Sequence, residues 1–286
     1  MSWDTAILTS AGGRDQNQDE AMQSQSDGCS CWILCDGLGA QGGGERAART
    51  VASTVVEWFR QHSECSAAAA RTYLEAGRKA LLAERANNPY LTQMNTTAVL
   101  LLACGNRALW AHAGDSRLYW FRGGRIVCRT RDHSVPQTLF DAGKIAERDI
   151  RFHEDRNKLL KTVGSGDALE AAIEERPVEV QTGDAFLLAS DGFWELVLDV
   201  EMEAELARAS SARDWLDGME IRLRQRTFSG HDNYTAIAAW KRDGDAPPPE
   251  PSTRAARPLS LSTSSAIDLP KTERPMPRAG GSKDKP

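Results

Sequence analysis

Two short apolar runs in this sequence each end directly on an Asp-Gly pair. Residues 31–35, CWILC, lead into Asp36-Gly37, and residues 184–190, DAFLLAS, lead into Asp191-Gly192. Short apolar runs that are followed by turn residues favour buried β-strands. The common explanation of the Asp-Gly pair is a turn. The alternative is a carboxylate held at a strand end to bind a cation, with a glycine that leaves its backbone carbonyl open.

The order of the other predicted elements limits the fold class. In chain order they are strands over 4–10 and 29–35, helices over 45–62 and 67–86, a strand meander over 96–130, a strand over 184–190, a helical region over 200–225 and a strand over 234–240. Gly105-Asn106 and Gly123-Gly124 are typical hairpin turns within the meander. Consecutive meanders and segregated helix pairs indicate an α+β fold with antiparallel sheets.

The composition excludes some function classes and bears on the compartment. The formal net charge is -5, which gives no electrostatic basis for binding nucleic acid or an anionic membrane. The most apolar run, residues 98–104, is too short to span a bilayer. The first ten residues lack the features of a signal peptide. We therefore expect a cytoplasmic protein.

The cysteines agree with that expectation. The chain has six, and no pair shows the C-x-x-C spacing of a zinc site. Cys29, Cys31 and Cys35 have the parity of one strand face, which predicts small buried thiols. We expect all six cysteines to be reduced and unpaired.

The composition changes near residue 243. Residues 243–286 contain nine of the twelve prolines and no aromatic residue or cysteine. Such a segment cannot bury enough apolar surface to offset the entropy lost on ordering. The sequence therefore predicts a folded domain over residues 1–242 and a disordered Pro/Ser-rich tail over 243–286.

Further aspartates lie beside predicted strands. Asp115 follows the predicted strand at 107–114, Asp232-Asn233 opens the last strand, and Asp19 lies in the N-terminal strand pair. Each alone is explained by a turn or cap. Together with Asp36 and Asp191 they form a carboxylate set that would repel itself unless a cation lay among its members. Oxygen ligands with few His or Cys favour Mg²⁺ or Mn²⁺.

Six short motifs carry a resemblance to a known family. They are RDQNQD (14–19), DGLG (36–39), GDSR (114–117), DHS (132–134), SDG (190–192) and DN (232–233). In order and spacing the chain resembles, over about residues 4–240, the metal-dependent type 2C serine/threonine protein phosphatases, and most closely their compact bacterial members. The resemblance implies a four-layer α/β/β/α sandwich: two central antiparallel sheets, flanked by helix pairs, with a two-metal centre at one end.

The resemblance also assigns roles to residues. Asp36 would bridge two Mn²⁺ or Mg²⁺ ions, and the Gly37 carbonyl would bind one of them. Asp191 and Asp232 would complete the shell of the other ion. Asp19 would hold metal-bound waters, and Asn233 would orient groups beside them.

Two further roles follow from the same match. Asp115, with Asp191, occupies the place of a weaker third metal in many bacterial members. Arg14 matches the residue that binds the substrate phosphate, and its planar fork suits two phosphate oxygens.

The implied activity is hydrolysis of phosphoserine and phosphothreonine in proteins by a metal-activated water, with no phosphoenzyme. The chain departs from the family at Leu38, where many members have a His that is thought to protonate the leaving group. It departs again at Gln18, where some members have Glu. Neither change removes a metal ligand, so we expect catalysis.

Two rival functions stay open on the sequence. One is a catalytically weak member of the family that binds phosphoproteins as a regulatory module. The other is an adaptor that acts through its tail, which can coexist with catalysis. The resemblance implies phosphoprotein substrates of a serine/threonine kinase from the same cell, and we expect a monomer that binds no nucleic acid and spans no membrane.

Overall fold

The computed structural model describes residues 2–39 and 42–243, which form twelve strands and six helices. The strands β1 to β12 are Ser2–Ser10, Asp19–Ser26, Cys29–Leu38, Asn95–Thr96, Ala98–Cys104, Arg107–Ala113, Arg117–Arg122, Arg125–Arg129, Ala172–Ile173, Val178–Glu179, Ala185–Ala189 and Tyr234–Arg242. The helices α1 to α6 are Gly43–His62, Ala67–Asn87, Val135–Asp141, Asp191–Trp194, Asp199–Leu206 and Ala212–Arg224. Two 3₁₀ turns cover Pro89–Leu91 and Glu147–Phe152.

The strands form two antiparallel sheets. The first has the order β1-β12-β11-β7-β8. The second has the order β10-β6-β5-β3-β2, with β4 paired to β3 and β9 paired to β6. The hairpins predicted at Gly105-Asn106 and Gly123-Gly124 join β5 to β6 and β7 to β8.

The central strands are buried on both faces, which places them in the middle of a layered fold. In β3, Trp32 and Leu34 face the other sheet and pack in the core between the two sheets. Cys31, Ile33 and Cys35 point the opposite way, into a core shared with α1 and α2. Successive side chains of β3 point alternately into two apolar cores, which explains why this strand has no polar face.

The first sheet has its own helical layer. Its outer face packs against α4, α5 and α6, with Trp215 and Met219 of α6 fully buried. The layers are therefore helix, sheet, sheet, helix, and the predicted four-layer α/β/β/α sandwich is confirmed. Helix α1 begins at Gly43, two residues before the predicted start, and the predicted helical region over 200–225 consists of two helices, α5 and α6.

The expectation that every cysteine is unpaired is wrong, because Cys29 and Cys104 form a disulfide. The two residues lie directly opposite each other on the paired strands β3 and β5, with Cα atoms 4.2 Å apart. The sequence could not reveal this because strand register decides which cysteines meet. Cys31, Cys35, Cys65 and Cys128 are free.

The described residues end shortly after the last strand. β12 ends at Arg242, and the predicted tail over 243–286 lies, apart from Asp243, outside the described residues. Within the described part of the chain, no helix is both long enough and apolar enough to cross a bilayer.

Candidate metal centre

A cleft of about 510 Å³ opens where several strands end. Its lining comprises Arg14, Asp15, Gln16, Gln18, Asp36, Gly37, Leu38, Gly39, Asp115, Asn157, Asp191, Asp232 and Asn233. All the site residues predicted from the sequence therefore line one cleft, except Asp19. That residue is buried at the start of β2, in register with Asp36 on β3.

Asp36 is held by hydrogen bonds to both of its backbone polar groups. Its N–H donates to Oγ1 of Thr97 across 3.0 Å. Its carbonyl accepts from the Thr97 N–H at 2.9 Å and from the Thr96 hydroxyl at 2.8 Å. Since a satisfied backbone fixes the start of the side chain, the Asp36 carboxylate has a defined position at the strand end.

The glycine after Asp36 is required by a close approach to the start of α1. A Cβ atom at Gly37 would lie 2.1 Å from the Gly44 carbonyl oxygen and 2.5 Å from that of Gln18. A Cβ atom at Gly44 would lie 2.7 Å from the Gly37 carbonyl oxygen. The glycine-rich stretch thus lets helix and strand end meet at the cleft with no side chain between them.

Asp191 and Asp232 are brought together by the pairing of β11 with β12. Asp191 follows β11 and Asp232 precedes β12, and a Cβ atom at Gly192 would lie 2.1 Å from the Asn233 carbonyl oxygen. Asp191 also accepts a 2.6 Å hydrogen bond from the Gly192 N–H. The two carboxylates therefore share one edge of the sheet.

Asn233 fixes the loop that carries Arg14. Its side-chain amide donates to the carbonyls of Ala11 and Gln16, at 2.9 and 2.8 Å, and its Oδ1 accepts from the Gln18 N–H at 2.9 Å. Arg14 then lies within reach of Asp232, and its Nη2 donates to Oδ2 at 3.1 Å. These hydrogen bonds tie the loop of Arg14 to the residue that precedes β12.

The carboxylates of the site repel one another. Burial, with the charges of neighbouring aspartates added to it, raises the pKa of Asp36 and of Asp115 well above the usual range. The same causes raise the pKa of Asp191 to about 6 and that of Asp19 to about 7. Among the described residues, no basic side chain lies within ion-pair distance of these four aspartates, and Arg14 pairs only with Asp232.

This environment fits a bound divalent cation. Asp19 receives a hydrogen bond from Ser190 at Oδ2, but its buried Oδ1 has no partner among the described atoms. The atoms of the cleft lining that could bind a metal ion are oxygens, which Mg²⁺ and Mn²⁺ prefer as ligands. In residues 2–39 and 42–243 no three His, Cys, Asp or Glu side chains are arranged to hold one ion by themselves. Ions of this class commonly keep several waters and take only one or two carboxylates.

Leu38 and Asn157 are two further residues of the cleft lining. Leu38 lies in the lining, so the departure noted in the sequence places an apolar side chain beside the carboxylates. Asn157 comes from the segment after the second 3₁₀ turn, and the neighbouring Arg156 forms a 2.9 Å ion pair with Glu195 that ties this segment to the Asp191 helix. Sequence reasoning missed Asn157, because no local pattern distinguishes it from other loop residues.

Among the described residues, Ser116 has no histidine partner of the kind that a serine hydrolase needs. Its hydroxyl pairs with Thr97 Oγ1, at 2.8 Å, and not with a histidine. The nearby His112 and His133 stack on each other with ring centroids 4.7 Å apart. His112 bonds to the Arg131 carbonyl, and His133 accepts from the Gly114 N–H, so both rings have local partners.

The protein phosphatase 2C family model matches residues 11–231, which is most of the chain. The chain belongs to the protein phosphatase 2C family. The match includes the loop of Arg14 and all the carboxylates up to the start of the DN motif, from Asp19 to Asp191. The family resemblance drawn from the six motifs is confirmed.

Relatives with bacterial sources agree with this membership. The chain is 29% identical over 238 residues to the serine/threonine protein phosphatase PstP of Mycobacterium tuberculosis, an alignment that covers 82% of this chain and 45% of that protein. It is 27% identical over 210 residues to the serine/threonine phosphatase Stp of Listeria welshimeri, covering 72% and 82%. The chain thus spans less than half of the longer relative and most of the shorter one.

A solved structure shows the same fold. It is the catalytic domain of the serine threonine protein phosphatase PstP in complex with two manganese ions. The TM-score is 0.72 at 27% identity, over 84% of this chain and 99% of that one. The family domain therefore accounts for nearly all the described residues.

Proposed function

We propose that this chain is a metal-dependent phosphatase that hydrolyses phosphoserine and phosphothreonine in proteins. The observation that carries the proposal is the convergence of strand-end carboxylates and one arginine in a single cleft. Membership of the protein phosphatase 2C family supports it, and so do the named activities of the relatives.

The proposed ligand roles follow the geometry of the strand ends. Asp36, fixed on β3, would bridge two Mn²⁺ or Mg²⁺ ions, and the Gly37 carbonyl would bind one of them. Asp191 and Asp232, on the other sheet, would bind the second ion. When bound, the two ions supply an acidified water for attack on phosphorus and positive charge against the phosphoryl oxygens.

Asp115 and Asp19 would support this centre from two sides. Asp115, with Asp191, would hold a weaker third ion at the edge of the cleft. The unpartnered Oδ1 of Asp19 would accept a hydrogen bond from a water on the metals, while Ser190 holds its other oxygen. Both roles place a buried carboxylate where a cation would offset the burial and the repulsion that together raise its pKa.

Arg14 would bind the phosphate. Its side chain is about half exposed at the cleft, and its guanidinium can present two parallel N–H donors to phosphoryl oxygens. Asn233, through the loop carbonyls it holds, would keep Arg14 in the orientation needed for that contact.

The residues that line the cleft also limit which group can attack phosphorus and which can protonate the leaving oxygen. Among the described residues that line the cleft there is no Ser, Thr, Cys, His or Lys, so no such side chain is placed to form a phosphoenzyme. Leu38 cannot donate a proton. Under this proposal the leaving serine or threonine oxygen receives its proton from water.

The proposal extends to the setting of the reaction. Its substrates would be phosphoproteins made by a serine/threonine kinase of the same cell, and the chain would act as a cytoplasmic monomer. The Cys29–Cys104 pair does not support the cytoplasm, since disulfides are uncommon there.

A metal-dependent assay of the whole chain tests this proposal. With Mn²⁺ present, the chain should release phosphate from a phosphothreonine peptide and from p-nitrophenyl phosphate, and EDTA should abolish both reactions. Asp36→Asn should lower the rate by about a hundredfold or more. The matched control is Asp27→Asn, in an exposed turn with φ of 50°, a conformation that Asn adopts readily.

The outcomes also separate the rival function. A regulatory module would bind the phosphopeptide but release no phosphate at any Mn²⁺ concentration. Full turnover after thorough chelation would refute the two-metal centre, and wild-type turnover in Asp36→Asn would remove that residue from it.

A further inference from the structure

A buried threonine joins two of the segments that supply the carboxylates. Thr97 is fully buried between β4 and β5. Its Oγ1 accepts the Asp36 N–H at 3.0 Å and lies 2.8 Å from Oγ of Ser116. Ser116 is also buried and directly follows Asp115.

The contact with the Asp115 segment is steric as well as polar. A Cβ atom at Gly114 would lie 2.5 Å from the Thr97 Cγ2 methyl and 2.6 Å from its Cβ. The backbone before Asp115 therefore packs directly on the Thr97 side chain. One small residue touches the strand end of Asp36 with its hydroxyl and the Asp115 turn with both its hydroxyl and its methyl.

The geometry points to Thr97 as a positioning residue of the metal centre, acting with Ser116 to fix Asp36 and Asp115 relative to each other. This inference rests on the proposed function. The hydroxyl is the group that matters, because an isosteric Val would keep the packing on Gly114 and leave the Asp36 N–H and the Ser116 hydroxyl without their partner. Groups that orient metal ligands in this way commonly change metal affinity by tenfold or more when they are removed.

The test compares Thr97→Val, Thr97→Ser and the control Thr130→Val in the full chain. Thr130 is a matched control because its buried Oγ1 likewise accepts a backbone N–H, but from Leu118, which is not one of the proposed metal ligands. The measurements are Mn²⁺ affinity by calorimetry, the Mn²⁺ dependence of p-nitrophenyl phosphate turnover, and the melting temperature without metal.

We expect Thr97→Val to raise the Kd for Mn²⁺ by about tenfold or more, with kcat restored to within about threefold of wild type at saturating Mn²⁺. Thr97→Ser, which keeps the hydroxyl, should stay within about threefold in Kd. Thr130→Val should lower the melting temperature and leave the Kd unchanged. A folded Thr97→Val chain with wild-type Mn²⁺ affinity would overturn the inference.

Ser116→Ala gives an independent readout that holds even if Thr97→Val does not fold. It breaks the hydroxyl pair but keeps the bond from Asp36 to Thr97, so the Kd for Mn²⁺ should rise by about two- to fivefold. An unchanged Kd in this variant would show that the pair does not act together. A wild-type chain that binds no Mn²⁺ would refute the proposed function itself. This result is distinct from refutation of the Thr97 inference, which requires a wild-type chain that binds Mn²⁺ and a Thr97→Val chain that binds it equally well.

Discussion

Arg14 donates a hydrogen bond from Nη2 to Oδ2 of Asp232 across 3.1 Å. The pair joins the residue proposed to bind phosphate to a residue proposed to bind metal. Both side chains are about half exposed, so the pair contributes less than about 1 kcal/mol to stability. A cation at Asp232 would therefore compete with this contact at little cost and leave the guanidinium free for the substrate.

Replacement of Arg14 should consequently separate substrate binding from metal binding. We expect Arg14→Ala to lower kcat/KM for a phosphothreonine peptide by about a hundredfold, because a charged donor to the phosphoryl oxygens is lost. Its Mn²⁺ affinity should be equal to that of wild type or tighter, since a competing cation is gone. Arg14→Lys should recover only part of the rate, because an ammonium lacks the planar fork.

Arg46→Ala is the control for this comparison, because Arg46 is an equally exposed arginine that pairs with Glu84 and does not line the cleft. Its kinetics should match those of wild type. If Arg14→Ala keeps the wild-type kcat/KM, the phosphate contact proposed for Arg14 is wrong.

Much of the fold could be predicted because its signals are local. The run 31–35 and the period of α1 depend only on near neighbours in sequence, and both elements occur where they were predicted to within a few residues. The convergence of Asp36, Asp191 and Asp232 is not local. It followed from the order of the family motifs, since no spacing shows that separate strand ends meet.

Three features depended on tertiary structure that the sequence does not state. The Cys29–Cys104 pair needs the register of β3 against β5. Asn157 reaches the cleft only through the path of a long irregular segment. Thr97 is an ordinary strand threonine until its hydroxyl is seen between Asp36 and Ser116.

The sequence prediction for residues 243–286 can be tested directly. A chain that ends after Asp243 keeps the 2.7 Å hydrogen bond from Thr182 to Asp243. Because the tail composition provides no core, its melting temperature and its p-nitrophenyl phosphate turnover should equal those of the full chain. A fall of several degrees would place the domain boundary later than residue 242. Slower turnover of a phosphoprotein alone would assign the tail to substrate docking.

Gly37→Ala should be strongly destabilising. The added methyl would overlap the carbonyl oxygens of Gly44 and Gln18, which are backbone atoms that cannot move aside cheaply. We expect a loss of about 1–3 kcal/mol in the free energy of unfolding, together with loss of phosphatase activity. Gly218→Ala in α6 is the control, because the atoms nearest to its methyl would belong to the Glu205 side chain, whose far end can shift, and Ala favours the helix. Urea unfolding of both variants would measure the difference in stability. Equal stabilities of the two variants would contradict the close approach of Gly37 to the backbone of Gly44 and Gln18.

Stabilisation by metal should depend on pH. The folded-state pKa values of Asp191 and Asp19, about 6 and about 7, are above those of an unfolded chain, near 4. A carboxyl with a raised pKa stabilises the metal-free fold while it is protonated, and this contribution is lost as the pH rises through the folded pKa. Since metal binds the ionised form, the rise in melting temperature with Mn²⁺ should be small at pH 5 and should grow up to about pH 7.5. A rise that is the same at every pH would contradict this linkage.

Asp19→Asn should stabilise the metal-free chain and weaken the enzyme. Asp19 is buried, and its pKa is raised mainly by that burial, with the charges of Asp191 and Asp232 adding to it. Removing its charge should therefore raise the melting temperature at pH 8 in EDTA by a few degrees. With Mn²⁺ present, the loss of an anionic partner for metal-bound water should lower the metal affinity and the turnover by about tenfold or more. Asp27→Asn, on an exposed turn, should change neither quantity. A lower melting temperature of metal-free Asp19→Asn would mean that this carboxylate stabilises the fold and is not held in place for a cation.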